Sequence, residues 1–485
     1  MQHLKSNFFN ILVPVEEENE WILYNTYSGG MEILGQSDGA FLSSLTDRSM
    51  TVSMEDVASD PCLSYLYRRG YLTDISEPER ELYLQKYKLS KQHRYDQKIA
   101  DIGLTIGTTI TCNMGCPYCF EFEKPKKFLR DEDNINSIVA YLRDMVAKSP
   151  VDQWRRCLVT WYGGEPLINA GAIEILTPKL LEFCRENKIE YKANVITNGL
   201  LLTQKMWEKL SRHKVNELQV TIDGAEEQHN RKRPLKGSKG ENYKKILSNL
   251  SMMPEGMEVT IRINVDKDVA ATWDELFDDF YAYGLWPQRF KSILFAPAWL
   301  RPYEEIESNT ANTYLTIEEF FDVNQDFRRR LIQRFNAWAE QNNLPKAKLK
   351  WDLPSLVEDC ATWVSPYNVV IDPEGYVQKC WETIHDSSNH IHHVSEGFHP
   401  EAFKKYMSYD RVELNNICKN CQYIPVCEKL SCSFDALKHG KPVCTPWKTK
   451  LKSSLKDQYL LMKNHPELIA QPTLSSKENT GHSSR

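Results

Sequence analysis

Ten of the thirteen cysteines in this chain fall into two groups, Cys112/Cys116/Cys119 and Cys360 through Cys444, and this clustering constrains the fold more than any other feature. No stretch approaches the roughly 18–20 apolar residues that cross a bilayer. The apolar run Phe8 to Val15 is followed at once by Glu16–Glu18, so it reads as a strand rather than a signal peptide. The reading is therefore a cytoplasmic protein with no membrane partner, in a compartment where disulfides are rare. Clustered cysteine there points to metal. Cys62, Cys157 and Cys184 stand apart and read as small apolar packing residues. A net charge of -6 offers no case for a nucleic-acid partner.

A chain of 485 residues holds two or three domains. Residues 1–98 read as an α+β domain, with a hairpin of Trp21–Thr26 and Met31–Leu34 around Ser28-Gly29-Gly30. Helical patterns follow near Met54–Arg69 and Glu77–Arg94; packing or docking of a leader peptide are the two roles open to this domain. From residue 99 to 315 strands alternate with helices: Leu104–Ile110, Cys157–Trp161, Tyr191–Thr197, Leu218–Ile222, Val259–Val265 and Phe290–Phe295. The first helix puts Ile135, Ile138, Val139, Leu142 and Val146 on one stripe. Alternation of this kind implies a parallel sheet, and six units are too few for an eight-fold barrel. The expected class is α/β, a partial (β/α)6 TIM-like barrel with its reactive loops at the C-terminal ends of the strands. A helical linker is expected over 316–349, a cysteine-rich domain over 350–450, and a final helix and disordered tail over 451–485.

Cys112-Asn-Met-Gly-Cys116-Pro-Tyr118-Cys119 follows the first predicted strand. Three thiolates so close together hold three irons of a cubane and leave the fourth open to a small molecule. Zinc would need a fourth ligand, and no histidine lies in this loop. The motif resembles the signature of the radical S-adenosylmethionine (SAM) superfamily, in which the position of Tyr118 is an aromatic near the adenine. Trp161-Tyr162-Gly163-Gly164-Glu165-Pro166 looks like that family's Gly-Gly-Glu-Pro segment, whose glycines admit the ligand's amino group. Asn194–Gly199 and Thr221–Gly224 also resemble segments of peptide-modifying members. The resemblance implies that Asn194 faces the SAM ribose, and that Asp223, His229 and Arg233 lie on the substrate side. It covers roughly residues 100 to 300.

The second group runs Cys360, Cys380, Cys418-x2-Cys421-x5-Cys427-x4-Cys432-x11-Cys444. By spacing alone, zinc ribbons are the alternative. The arrangement resembles the SPASM domain of radical SAM peptide maturases, which carries two auxiliary 4Fe–4S clusters beside the SAM-binding one. Asp372-Pro373-Glu374-Gly375 would turn a hairpin that returns Cys380 toward Cys360. By the family's pattern Cys418, Cys421, Cys427 and Cys444 close one cluster, and Cys360, Cys380 and Cys432 hold the other.

Departures from that pattern bear on function. Glu-Lys-Leu-Ser separates Cys427 from Cys432 where the family has a shorter, glycine-containing gap. No cysteine lies just upstream of Cys360, which would leave an iron open to a substrate thiolate. Anaerobic sulfatase maturases carry a carboxylate immediately after the cysteine matching Cys380; here Trp381 stands there and Glu382 one step on, on the opposite face of a strand. His390, His392 and His393 read as exposed loop residues.

The resemblance implies reductive cleavage of SAM to a 5′-deoxyadenosyl radical and hydrogen abstraction from a ribosomally made peptide, installing a thioether or carbon–carbon crosslink. Flavodoxin or ferredoxin is the implied electron donor. A sulfatase-maturase-like protein oxidation, or a zinc-binding adaptor without catalysis, are the alternatives.

Overall fold

The computed structural model describes residues 3–46, 50–76, 79–94, 96–121, 125–237, 240–300, 313–439 and 444–472. The chain divides into two compact units: residues 1–92 with 344–360 and 410–485, and residues 93–343 with 361–409. The expected disordered tail lies almost wholly outside the described residues.

The first unit holds two small antiparallel sheets. Strands β1 (His3–Ser6), β5 (Val52–Ser53) and β6 (Leu72–Asp74) form one, with β1 central, and β2 (Asn10–Val15), β3 (Glu20–Asn25) and β4 (Met31–Gly35) form the other. The hairpin of β3 and β4 is the one expected. The helical pattern from Met54 is two helices, Met54–Ser59 and Pro61–Arg68. Asp60 divides them: its extended backbone closes the first, and its carboxylate caps Cys62 and Leu63 N–H of the second. Pro61 then occupies the first turn, where its missing N–H costs nothing.

The second unit is built on a nine-stranded sheet. Its parallel strands are β7 (Ile99–Thr109), β8 (Gln153–Gly163), β9 (Glu190–Thr197), β10 (Val215–Thr221), β11 (Glu258–Val265) and β12 (Ile293–Trp299), each pairing with the next. The curl does not close. Beyond β7 the sheet continues with β13 (Asn368–Ile371), parallel to it, then antiparallel β14 (Tyr376–Gln378) and β15 (His392–His393). The turn between β13 and β14 is Asp372–Gly375; Asp372 accepts the N–H groups of Glu374 and Tyr376. This is the open six-unit α/β barrel expected.

Period-two alternation gives the sheet two chemically distinct faces. Cys157, Val159 and Trp161 on β8, Ala193 and Val195 on β9, Leu218 and Val220 on β10, and Val259, Ile261 and Ile263 on β11 join one core with the helices. The helix Glu132–Lys148 supplies Ile135, Ile138, Tyr141, Leu142 and Met145 to it. Val139 and Val146, expected on that stripe, pack half-buried at its edge. Each such side chain contributes about 1.5–3 kcal/mol on full burial. The opposite face carries Thr160, Tyr162, Asn194, Gln219, Thr221, Thr260, Arg262 and Asn264, and much of it is half-exposed.

Candidate functional site

The C-terminal ends of β7 to β11 converge on the first cysteine loop. Residues 112–119 leave β7 and are held on two sides. On one, Gly115 N–H donates to Pro234 O at 2.8 Å and Lys236 N–H to Asn113 O at 2.9 Å. On the other, Gly164 N–H donates to Thr109 O at 2.9 Å and Glu165 N–H to Thr111 O at 3.0 Å. Gly163 adopts φ +123°, and a Cβ on it or on Gly164 would collide with the carbonyl oxygens of Thr109 and Ile110. In this structure the glycine pair is required by the close approach of the β7 end.

Glu165 is fully buried and bonds the β9 end. Its carboxylate accepts Leu167 N–H at 3.0 Å, Thr197 Oγ1–H at 2.7 Å and Asn198 N–H at 2.8 Å. Burial pushes its carboxyl up, against the pull of these donors and of Arg233. Asn198 Nδ2 donates to Asn113 Oδ1 at 2.7 Å, so the β9 end also holds the cysteine loop.

Tyr118 joins the loop to β10 and β11. Its hydroxyl donates to the Asp223 carboxylate and accepts from Arg233 Nη1 at 2.7 Å and Asn264 Nδ2 at 3.4 Å. Asp223 also accepts Asn264 N–H at 2.9 Å, and its own N–H donates to His229 Nδ1 at 3.2 Å. Burial raises the Tyr118 hydroxyl well above the ordinary phenol range; Arg233 opposes this and Asp223 adds to it. Burial and the Arg233 charge hold His229 well below the usual imidazole value, in its neutral form.

The structure thus brings together Cys112, Cys116, Cys119, Tyr118, Gly163, Gly164, Glu165 and Asp223, with His229 and Arg233. Asn194 stands apart: it lies within β9 in register with Thr160, on the same sheet face but short of the strand end. Tyr162 stacks on the exposed Trp381, ring centroids 6.0 Å apart, beside Cys380. His392 corrects the expectation of exposure: it is buried, its ring 5.7 Å from Tyr141 and its Nε2 3.3 Å from the Tyr141 hydroxyl. Sequence reasoning passed over Asn113, Arg262 and Asn264. For the last two the signal was present, because Thr260, Arg262 and Asn264 alternate with Val259, Ile261, Ile263 and Val265.

Cys418, Cys421, Cys427 and Cys444 all belong to the first unit. Cys421 N–H donates to Cys418 O at 3.0 Å, and Cys418 and Cys427 share a small core with Tyr83, Tyr87 and Ile424. Burial pushes the Cys427 thiol up to about 11, against the backbone N–H groups of Leu430, Lys429 and Thr445, which favour its thiolate. Cys360 and Cys432 are linked through Cys360 N–H donating to Ser431 O at 3.0 Å. Buried Arg411 supports the segment before Cys360, its Nε 2.6 Å from Asp359, which also accepts the Tyr87 hydroxyl at 2.6 Å. Cys380 belongs to the other unit, just beyond β14. None of the thirteen cysteines forms a disulfide. Among the described residues no three His, Cys, Asp or Glu side chains converge on a single-ion site.

The donor chemistry fits an iron–sulfur cluster on the first group: three cysteines on one loop, each of which could ligate a separate iron. Residues 106–279 match the model of the radical SAM superfamily. The chain carries a radical SAM domain. The radical SAM cyclopropyl synthase TigE of Paramaledivibacter caminithermalis is 23% identical over 160 residues, 31% of this chain and 33% of that protein. The Fe-coproporphyrin III synthase of Methanosarcina barkeri is 27% identical over 177 residues, 35% of this chain and 40% of that protein. The chain therefore spans less than half the length of either curated relative. The structure of anSMEcpe with bound AdoMet and a Cp18Cys peptide shares the fold, with a TM-score of 0.53 at 17% identity over 75% of this chain and 98% of that one. Among the described residues no helix is long and apolar enough to cross a membrane.

Proposed function

We propose that this chain is a radical SAM peptide maturase that installs a thioether or carbon–carbon crosslink in a ribosomally made precursor peptide. The observation that carries the reading is the locked cysteine loop, bonded on one side to Gly164–Glu165 and through Tyr118 to Asp223 and Arg233. Cys112, Cys116 and Cys119 would hold a 4Fe–4S cluster with one open iron, and Gly163, Gly164, Glu165, Asn194 and Asp223 would line the SAM side. When bound, the cluster and SAM supply a 5′-deoxyadenosyl radical that takes hydrogen from a substrate carbon. The chain's own part is to fix the loop, exclude water from Glu165 and hold His229 neutral.

The seven cysteines of the second group would carry two auxiliary clusters. The Cys427 thiol, faced by backbone N–H groups, is the observation that favours cluster ligation there. Flavodoxin or ferredoxin would deliver the electron, in a cytoplasm reducing enough to keep the thiols free. The fold shared with anSMEcpe, whose structure contains a peptide, supports a peptide substrate.

Iron per chain after anaerobic reconstitution tests the assignment. Wild type should hold about twelve irons and the Cys112/Cys116/Cys119→Ala triple variant about eight, four per cluster. Dithionite-reduced wild type should release 5′-deoxyadenosine and the variant none. Coexpression with a short peptide encoded beside the chain should give a product lacking a pair of hydrogens. Zinc in place of iron, or a variant that keeps all its iron, sinks the reading.

A further inference from the structure

Arg411 is only 2% exposed, and Asp359 is buried with it. The Arg411 Nε atom lies 2.6 Å from Asp359 Oδ1, and the guanidinium packs over the Tyr87 ring, 5.4 Å from its centroid. The Tyr87 hydroxyl donates to the other Asp359 oxygen at 2.6 Å and accepts Arg411 N–H at 3.1 Å. Two donors therefore offset the carboxylate charge, while one edge of the guanidinium is left over. Its Nη1 is buried and meets no acceptor among the described residues.

Stability alone is a poor reason for such a pair. The attraction between two buried charges does little more than offset their desolvation, and a buried donor without an acceptor costs about 1–3 kcal/mol more. The surroundings point to the missing acceptor. The residues on either side of Asp359 are tied to the cysteine-rich segment: Ser431 Oγ–H donates to Glu358 O, and Cys360 N–H donates to Ser431 O at 3.0 Å. Val412, next to Arg411 in the chain, shares a small core with Tyr83, Tyr87, Cys418 and Cys427. Burial pushes the Tyr83 hydroxyl up to about 12; Arg411 pulls it down, while Asp359, Tyr27 and the Cys427 thiol push it further. One hydroxyl thus feels the guanidinium and a cysteine of the second group together.

We propose that Arg411, through Nη1, donates a hydrogen bond to an auxiliary iron–sulfur cluster held by Cys418, Cys421, Cys427 and Cys444, and so raises its reduction potential. The sulfurs of a cluster accept hydrogen bonds, and a donor carrying positive charge favours the reduced, more negative state. Asp359 and Tyr87 hold the guanidinium in place for that bond. The inference rests on the auxiliary clusters of the proposed function and gives Arg411 no part in the cleavage of SAM.

The test uses the full-length Cys112/Cys116/Cys119→Ala protein, which keeps only the auxiliary clusters, grown on arginine labelled with nitrogen-15 in its guanidino group. After anaerobic reconstitution and reduction with dithionite, pulsed electron paramagnetic resonance should show a nitrogen-15 coupling on a reduced cluster. R411K should remove that coupling at unchanged iron content, and Cys418/Cys421/Cys427→Ala should remove it together with about four irons. In redox titrations R411Q should lower the ratio of reduced to oxidised cluster roughly tenfold at the parent midpoint. D359N, which keeps the guanidinium and removes the carboxylate charge, should raise that ratio. A merely structural pair predicts shifts of one sign in both variants, because each would admit water alike. No coupling in cluster-loaded protein, or a coupling that survives R411K, overturns the proposal and leaves the auxiliary clusters standing. A coupling that survives loss of Cys418, Cys421 and Cys427 overturns the assignment to this cluster. Protein that takes up no iron on the second cysteine group overturns the reading of that group and this inference with it.

Discussion

The Glu165 carboxylate is satisfied by donors on Thr197 and Asn198, 32 and 33 residues away, which only the fold brings in. The same holds for the Tyr118 hydroxyl, whose partners Asp223 and Arg233 are 105 and 115 residues distant. Glu165→Ala would leave two backbone N–H groups and a hydroxyl buried without an acceptor. Each such orphan costs about 1–3 kcal/mol, so a loss of about 3 kcal/mol is expected, read as a lower urea midpoint by tryptophan fluorescence. Glu165→Asp, which keeps the acceptor oxygens, should recover part of it. A midpoint unchanged in Glu165→Ala would mean that the loop can find other acceptors.

At the scale of elements, apolar alternation located the barrel strands, because it is a local signal. It misplaced His392, because β15 has only two residues and its burial comes from docking on the helix Glu132–Lys148, an arrangement of no local period. Burial, with His399 next, lowers His392 to about 4 from its usual 6.5; His393 and Lys379 act in the same sense and Glu396 opposes them. In the unfolded chain His392 would take up a proton near pH 6.5, whereas the folded element takes it up only near pH 4. The docking therefore keeps its full stability above pH 6.5 and loses it as pH falls toward 4, by about 2 kcal/mol at pH 5. Hydrogen exchange reports this locally, because Ile391 N–H bonds Val377 O and Val394 N–H bonds Gly375 O. After correction for intrinsic rates, protection of these amides should fall about 20-fold between pH 7 and pH 5 in wild type. In His392→Gln the fall should be much smaller; an equal fall would place the titrating group elsewhere.

Across the whole molecule, the chain order conceals the division into units. The first unit collects both ends of the described chain and residues 344–360, so a boundary read along the sequence at residue 350 separates segments that the fold assigns together. The region around its cysteines is short of regular structure: Asn416–Lys419, Ile424–Val426, Glu428–Ser431 and Ser433–His439 are helices of four, three, four and seven residues. Helices below about 12 residues do not stand alone in water. Tyr423, Ile424, Val426 and Leu430 contribute some burial, yet none of the described residues between Cys418 and Cys444 lies in a sheet. In the second unit the parallel strands share one extensive apolar core. On the proposed cluster ligation, removing iron with a chelator under reducing conditions should therefore act unevenly. Proteolysis should open between residues 415 and 445, and amide exchange there should rise by at least an order of magnitude, while residues 99–299 keep their protection. Equal loosening of both units would show that the clusters hold the whole chain together. Loosening of neither would mean that side-chain packing alone, led by the Arg411–Asp359 pair, orders the cysteine-rich segment.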